Sequence, residues 1–221
     1  MFTLFAKQLT KTYKYCNSVN NINLQVQSGE IIGLIGHKNS GKTIICFMLM
    51  GIVIHDTGSI IINNNDISNL SLHERTQLGI GFIPKQSSIF RRLSVYDNII
   101  SVLQIRKDLK GGMHQNYAND LINKFNIGHL SNIMGSELYG SNRRIVEIIR
   151  ALAANPKFII MDEPFTNIDI VSDNKIIKAI KYLSSIGIGI MITDNKNFIT
   201  KLNFYNRSYI LNKGKIITVV N

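Results

Sequence analysis

Apolar and polar positions change rhythm several times along this chain, and each change marks an element. Phe2, Leu4 and Ala6 alternate with polar neighbours on the way to Leu9, and Ile22, Leu24 and Val26 repeat the pattern. Period-two alternation places one face on a core and the other in water, so both segments predict strands of antiparallel type. Ile31-Ile32-Gly33-Leu34-Ile35 is continuously apolar, the pattern of a strand buried on both faces. The longer apolar run from Ile44 to Val53 predicts a helix. Ser59 to Ile62, ended by three asparagines, and Gly79 to Ile83, closed by Pro84, predict further strands.

The rhythm then turns helical. Ser94 is a good N-cap, and Val95, Ile99, Val102 and Leu103 follow at helical spacing. Gly111-Gly112 interrupts the run, and Tyr117, Leu121, Ile122 and Phe125 restore an apolar face. A third helix is expected from about Asn142 to Ala154, stopping at Pro156. Strand character returns with Phe158 to Met161, a helix carries Ile176, Ile177, Ile180 and Leu183, and strands follow at Gly189–Thr193, Tyr209–Leu211 and Lys215–Val219. The expectation is one α/β domain over residues 1–221, with a β-rich core in 1–85 and 156–221 and a helical insertion in 86–155.

Composition narrows the function classes. With 45% hydrophobic and 18% charged residues, the chain has the make-up of a globular protein. Twenty-five Lys and Arg against 14 Asp and Glu give a net charge of +11, which points either to a polyanionic partner or to dispersed solvated lysine. No basic run interleaved with aromatics appears, which favours dispersed lysine and argues against nucleic acid. Two cysteines, Cys16 and Cys46, lack metal-ligand spacing, and the five histidines form no ligand pair at helical spacing. That usage fits a reducing cytosolic compartment. The alternating N-terminus does not read as a signal peptide, and Ile44–Ile54 is shorter than the roughly twenty residues a membrane span needs.

Candidate chemistry begins at Gly36-His37-Lys38-Asn39-Ser40-Gly41-Lys42-Thr43, a complete G-x-x-x-x-G-K-[ST] loop between a predicted strand and a predicted helix. In that context backbone N–H groups and the positive helix end cradle phosphate oxygens. Lys42 is expected to reach the β- and γ-phosphates of ATP, and Thr43 to place its hydroxyl on Mg²⁺. Asp162-Glu163 follows four apolar residues, at the strand end where open α/β sheets bind ligands. Asp162 is expected to hold Mg²⁺ with Thr43, and Glu163 to orient or deprotonate the attacking water. A helix cap is the plainer use of the same carboxylates.

The order of these features resembles the ATP-binding subunits of ABC transporters along essentially the whole chain. Gly36–Thr43 match that family's phosphate loop, and Leu138-Tyr139-Gly140-Ser141-Asn142 stand in the place of its Leu-Ser-Gly-Gly-Gln/Glu signature. Asp162-Glu163-Pro164 match its catalytic strand end, Asp169 its interdomain aspartate, and Tyr13 the aromatic that stacks on adenine. The stretches Ser88–Asn98, Ile149–Phe158 and Leu72-His73 are similar to its lipopolysaccharide-export branch. The resemblance implies a P-loop NTPase of ABC type, with a RecA-like parallel-sheet core, an antiparallel β subdomain and an inserted helical subdomain. It implies a homodimer that sandwiches ATP and Mg²⁺, bound by Tyr13, Gly36 to Ile44 and, from the signature segment, Gly140. It also implies two transmembrane permease subunits docking near Phe90, Arg91 and Arg92, and a peripheral place on the cytoplasmic face of the bacterial inner membrane. For Phe90, ordinary core packing is the equal alternative.

Several positions depart from the family pattern. Tyr139 replaces the signature serine and Ser141 a glycine, where any need for φ > 0 becomes costly. Asn195 replaces the switch histidine and cannot relay a proton, and Lys85 replaces the glutamine that senses metal and water. In the loop Lys38-Asn39 replaces Asn-Gly, and Ile44 a second threonine. The chain also ends soon after its last predicted strand, where proteins of that branch continue into a tail. ATP binding is expected to survive and hydrolysis to be weakened. The alternatives are a nucleotide-binding structural subunit with little turnover, or an ATPase subunit for another cargo such as branched-chain amino acids. A DNA-acting member of the class needs long coiled coils, and no sustained heptad is present.

Overall fold

A computed structural model describes residues 2–13, 16–166, 168, 170–195 and 205–220. Three strands buried at every residue form its frame: β3 (Ile31–Gly36), β7 (Phe158–Asp162) and β8 (Gly189–Asp194). They pair in parallel in the order β3-β8-β7, with β6 (Ile80–Ile83) beyond β7 and β9 (Arg207–Asn212) beyond β3. β10 (Lys215–Val220) closes the β9 edge antiparallel, giving six strands. The central runs are apolar throughout because both sheet faces are covered.

Alternation along each strand sorts side chains into two cores. Ile159, Met161, Ile190 and Ile192 face a cluster built with α3 (Val95–Leu103), α4 (Met113–Lys124), α5 (Gly140–Ala153) and α6 (Ile170–Ser185). Phe158, Ile160 and Met191 face the other, which contains α1 (Lys42–Met50) and a four-stranded antiparallel sheet. That second sheet runs β2 (Cys16–Gln27), β1 (Thr3–Tyr13), β4 (Thr57–Ile62), β5 (Asn65–Asp66). The helices between β6 and β7 therefore share a core with the parallel sheet. Among the described residues no helix is long and apolar enough to cross a membrane.

The expected elements are present, with shifted ends. α1 begins at Lys42 rather than Ile44 and stops at Met50, because Gly51 turns to φ 72° and its amide bonds back to the Met48 carbonyl at 3.1 Å. α5 starts at Gly140, two residues before the expected Asn142. α2 (Leu72–Gln77) is an addition to the expected set; Ser71 and Glu74 form a capping box at its start.

α2 also supplies an anchor for α1. Arg75, only 2% exposed, donates from its Nη1 to the carbonyls of Met48 (2.7 Å) and Leu49 (2.9 Å). It also donates to Ser68 O at 2.7 Å and Leu70 O at 2.9 Å. A buried cation at the C-terminal end of α1 balances the helix dipole and fixes the rod whose other end carries the loop.

Candidate nucleotide site at the sheet edge

The loop after β3 is shaped by contacts that only its residues allow. A Cβ on Gly36 would lie 2.5 Å from both Leu211 O and Ser40 Oγ, so the strand end admits no side chain. Asn39 sits at φ 62° and Gly41 at φ 105°. Asparagine tolerates the left-handed region, so the departure at position 39 is accommodated. The β9–β10 turn holds the loop from behind, Gly214 N donating to Ser40 O at 3.0 Å. His37, Lys38 and Asn39 are exposed, Ser40 and Lys42 are buried, and Thr43 is half-buried. Ile44 packs its side chain against the core, so it contributes no side-chain polar group.

Lys42 Nζ donates to Gly36 O at 2.7 Å and His37 O at 2.9 Å. Burial pulls its pKa below the ordinary lysine value, although Glu163 and Asp162 oppose that shift. Thr43 Oγ1 donates to Asp162 Oδ2 at 2.9 Å, joining loop and strand end across 119 residues of sequence. Thr193 of β8 donates to Asp162 Oδ1 at 2.6 Å and accepts from Glu163 N at 2.9 Å. Asp162 thus joins the loop to the sheet, and among the described residues its carboxylate caps no helix. A hydroxyl and a carboxylate converging here are hard oxygen donors, few enough to leave room for water and phosphate, which suits Mg²⁺.

Glu163 stands at φ 45°, a left-handed conformation uncommon outside glycine and often found where a site demands it. Its Oε2 is 2.6 Å from Lys85 Nζ and accepts from Thr166 Oγ1 at 3.3 Å, and its Oε1 is 3.6 Å from Lys42 Nζ. Burial pushes its carboxyl pKa up, but Lys85, then Lys42 and Thr166, outweigh that and hold it below the ordinary glutamate value.

Behind this pair lies a network that sequence reasoning missed. From α5, Arg144 donates to Pro164 O (3.1 Å), Pro84 O (3.0 Å) and Lys85 O (3.2 Å), and pairs with Glu147 at 2.8 Å. Glu147 in turn accepts from Ser87 Oγ at 2.7 Å and Ser88 N at 2.9 Å. The spacing Arg-x-x-Glu around Ile145 and Val146 and before Ile148 is the signal in the sequence, since i,i+3 charges on an apolar face meet each other. Asn98 of α3 holds the next stretch, accepting from Phe90 N and donating to Phe90 O, Leu93 O and Ser94 O. Phe90 itself is 46% exposed, its ring 4.0 Å from the Arg150 guanidinium, which removes the core-packing alternative. Arg91 and Arg92 beside it are exposed.

In the signature segment Tyr139 and Gly140 are exposed, while Leu138 and Ser141 are buried. Tyr139 is 79% exposed at the N-cap of α5. The left-handed residue is Gly140, at φ 54°; Ser141 is helical, so the strain expected there does not arise. Gly140 lines a cleft of about 380 Å³ with Lys85, Gln86, Arg143 and Thr166. Tyr13 ends β1 with its ring partly exposed and Lys11 Nζ 5.7 Å from its centroid. Its hairpin approaches the loop through Val19, 3.1 Å from where a Gly41 Cβ would be. Asn195 is exposed and its backbone N–H donates to Asp194 Oδ1. Asp169 lies outside the described residues.

Residues 19–166 match the family model described as "ABC transporter". The chain is 49% identical over 217 residues to the lipopolysaccharide export system ATP-binding protein LptB of Escherichia coli strain K12, covering 98% of this chain and 90% of that protein. It is 47% identical, with the same coverage, to LptB of Haemophilus influenzae. Among solved structures it is similar to a nucleotide-free ATP-binding cassette from an ABC transporter (TM-score 0.85, 22% identity, 99% of this chain and 91% of that one). It is also similar to a dimeric ATP-binding cassette in a post-hydrolysis state bound to ADP and Pi (TM-score 0.82, 24% identity, 98% and 97%). Matched by the family model over most of its length and by relatives over nearly all of it, the chain belongs to the ABC transporter family, as an ATP-binding cassette with an ABC-type α/β fold.

Proposed function

We propose that the chain is the ATP-binding subunit of a lipopolysaccharide exporter. The observation that carries the site reading is the Thr43–Asp162 contact, which brings the phosphate loop and the catalytic strand end together. Gly36 to Ile44 bind the phosphates of ATP, Tyr13 stacks on the adenine, and Thr43 and Asp162 would hold Mg²⁺, which would supply neutralisation of phosphate charge. Glu163 accepts the proton of the attacking water as its oxygen bonds to the γ-phosphorus. The β–γ bridging oxygen departs with the electron pair on ADP.

The exposure of Tyr139 and Gly140 supports a homodimer in which the signature segment of one copy covers the nucleotide of the other. Residues 86–155 act as the helical subdomain that carries this segment. Phe90, Arg91 and Arg92 receive the two transmembrane permease subunits, which hold the chain peripherally on the cytoplasmic face of the inner membrane. The identity to LptB supports lipopolysaccharide as cargo.

A second reading, a nucleotide-binding subunit with little turnover, is favoured by the Lys85–Glu163 ion pair. Steady-state ATPase activity of the chain assembled with the exporter's permease subunits separates the two. Turnover that falls about a hundred- to ten-thousandfold in Glu163→Gln supports the first. Turnover already at background in the unmodified chain supports the second.

A further inference from the structure

Lys85 engages one oxygen of Glu163 and so competes with proton transfer at that oxygen. A base needs a free oxygen lone pair aimed at the water. In Glu163, Oε2 faces Lys85 at 2.6 Å and Thr166 at 3.3 Å, and Oε1 faces Lys42 at 3.6 Å. The two lysines differ in freedom. Lys42 is buried and also tied to two loop carbonyls. Lys85 is 46% exposed along its side chain, against 9% for Glu163.

Its backbone, by contrast, is pinned. Arg144 donates to Lys85 O at 3.2 Å and to Pro84 O at 3.0 Å, and the next residues are tied to Glu147. The ammonium can therefore swing on its own stem while the loop stays in place. It lines the same cleft as Gly140 and Thr166.

We propose that Lys85 is a latch on Glu163: its ammonium clamps the carboxylate, and turnover waits for that ion pair to open toward the phosphate charge of bound ATP. Lys85 is thus a positioning residue that slows the proton step, in which the water proton passes to Glu163 while the water oxygen bonds to the γ-phosphorus and the bridging oxygen leaves with ADP. The latch rests on the ATPase reading above. Freeing a carboxylate from a half-exposed ammonium is worth about a fivefold gain in rate.

The test uses the full chain with Lys85→Gln, Lys85→Met and Lys85→Arg, measuring kcat and MgATP affinity for each. Expected are kcat values about fivefold above the parent for Gln and Met, with Arg about fivefold below those two because it restores the clamp. In a Glu163→Gln background, adding Lys85→Met should leave kcat unchanged, which a purely structural role would not produce. Normal MgATP binding with kcat flat or lower in both Gln and Met overturns the latch alone. The same gain in the Glu163→Gln background also overturns it. Loss of MgATP binding by the parent chain overturns the ATPase reading and the latch together.

Discussion

Arg75→Met removes a buried guanidinium and leaves an apolar side chain of similar reach. The Leu49, Ser68 and Leu70 carbonyls lose bonds of 2.9, 2.7 and 2.9 Å, while Met48 O keeps the Gly51 amide. The buried Leu49 carbonyl left unmet costs about 1–3 kcal/mol, the half-buried Ser68 and Leu70 carbonyls cost less each, and loss of the cation at the end of α1 adds up to about 2 kcal/mol. Local relaxation recovers part of this, so a net loss of about 3–5 kcal/mol is expected, in the range seen when one partner of a buried charge is removed. At about 2–4 °C per kcal/mol for a chain of this size, Tm falls by roughly 6–20 °C. Urea unfolding followed by far-UV circular dichroism measures the free-energy loss, and thermal unfolding the Tm shift, with Arg75→Lys as comparison. Lysine keeps the charge but cannot fork to four carbonyls, so it should fall between the two. A loss under about 1 kcal/mol for Met would refute the anchoring role.

Other outcomes follow from the same geometry. Glu147→Gln should destabilise by about 3 kcal/mol by stranding Arg144, and a double-mutant cycle with Arg144→Met should show strong coupling; additive effects would contradict the pairing. Gly36→Ala drives a Cβ to 2.5 Å from Leu211 O, so MgATP binding should drop while most of the fold persists; unchanged binding would contradict the close-packed strand end. Cys46 is fully buried and its thiol is pushed well up by desolvation, then by Asp162. Maleimide should label Cys46 in urea and not in buffer, read by peptide mass spectrometry; rapid native labelling would contradict its placement in the core.

Much of the fold is legible in the sequence because its signals are local. β3, β7 and β8 are continuous apolar runs, and the loop between β3 and α1 carries its glycines at fixed spacing. α2 escapes notice because six mostly polar residues show no periodic face, although Ser71-Leu72-His73-Glu74 spells a capping box. At the site, residue types are readable but pairings are not. Lys85 and Glu163 are neighbours only because β6 and β7 pair in the sheet, and Arg75 meets Met48 only through the turn of the chain behind α1. By sequence alone Lys85 is a lost water sensor; its observed place against Glu163 gives the substitution a different physical meaning.

Equilibrium binding of MgATP to the full chain and to Lys42→Ala tests the central claim most directly. The account predicts saturable binding by the parent and a weakening of about ten- to a hundredfold or more in the variant, the worth of one charge-assisted contact to phosphate. Equal affinity in the two proteins would contradict the assignment of Gly36–Thr43 as the nucleotide site.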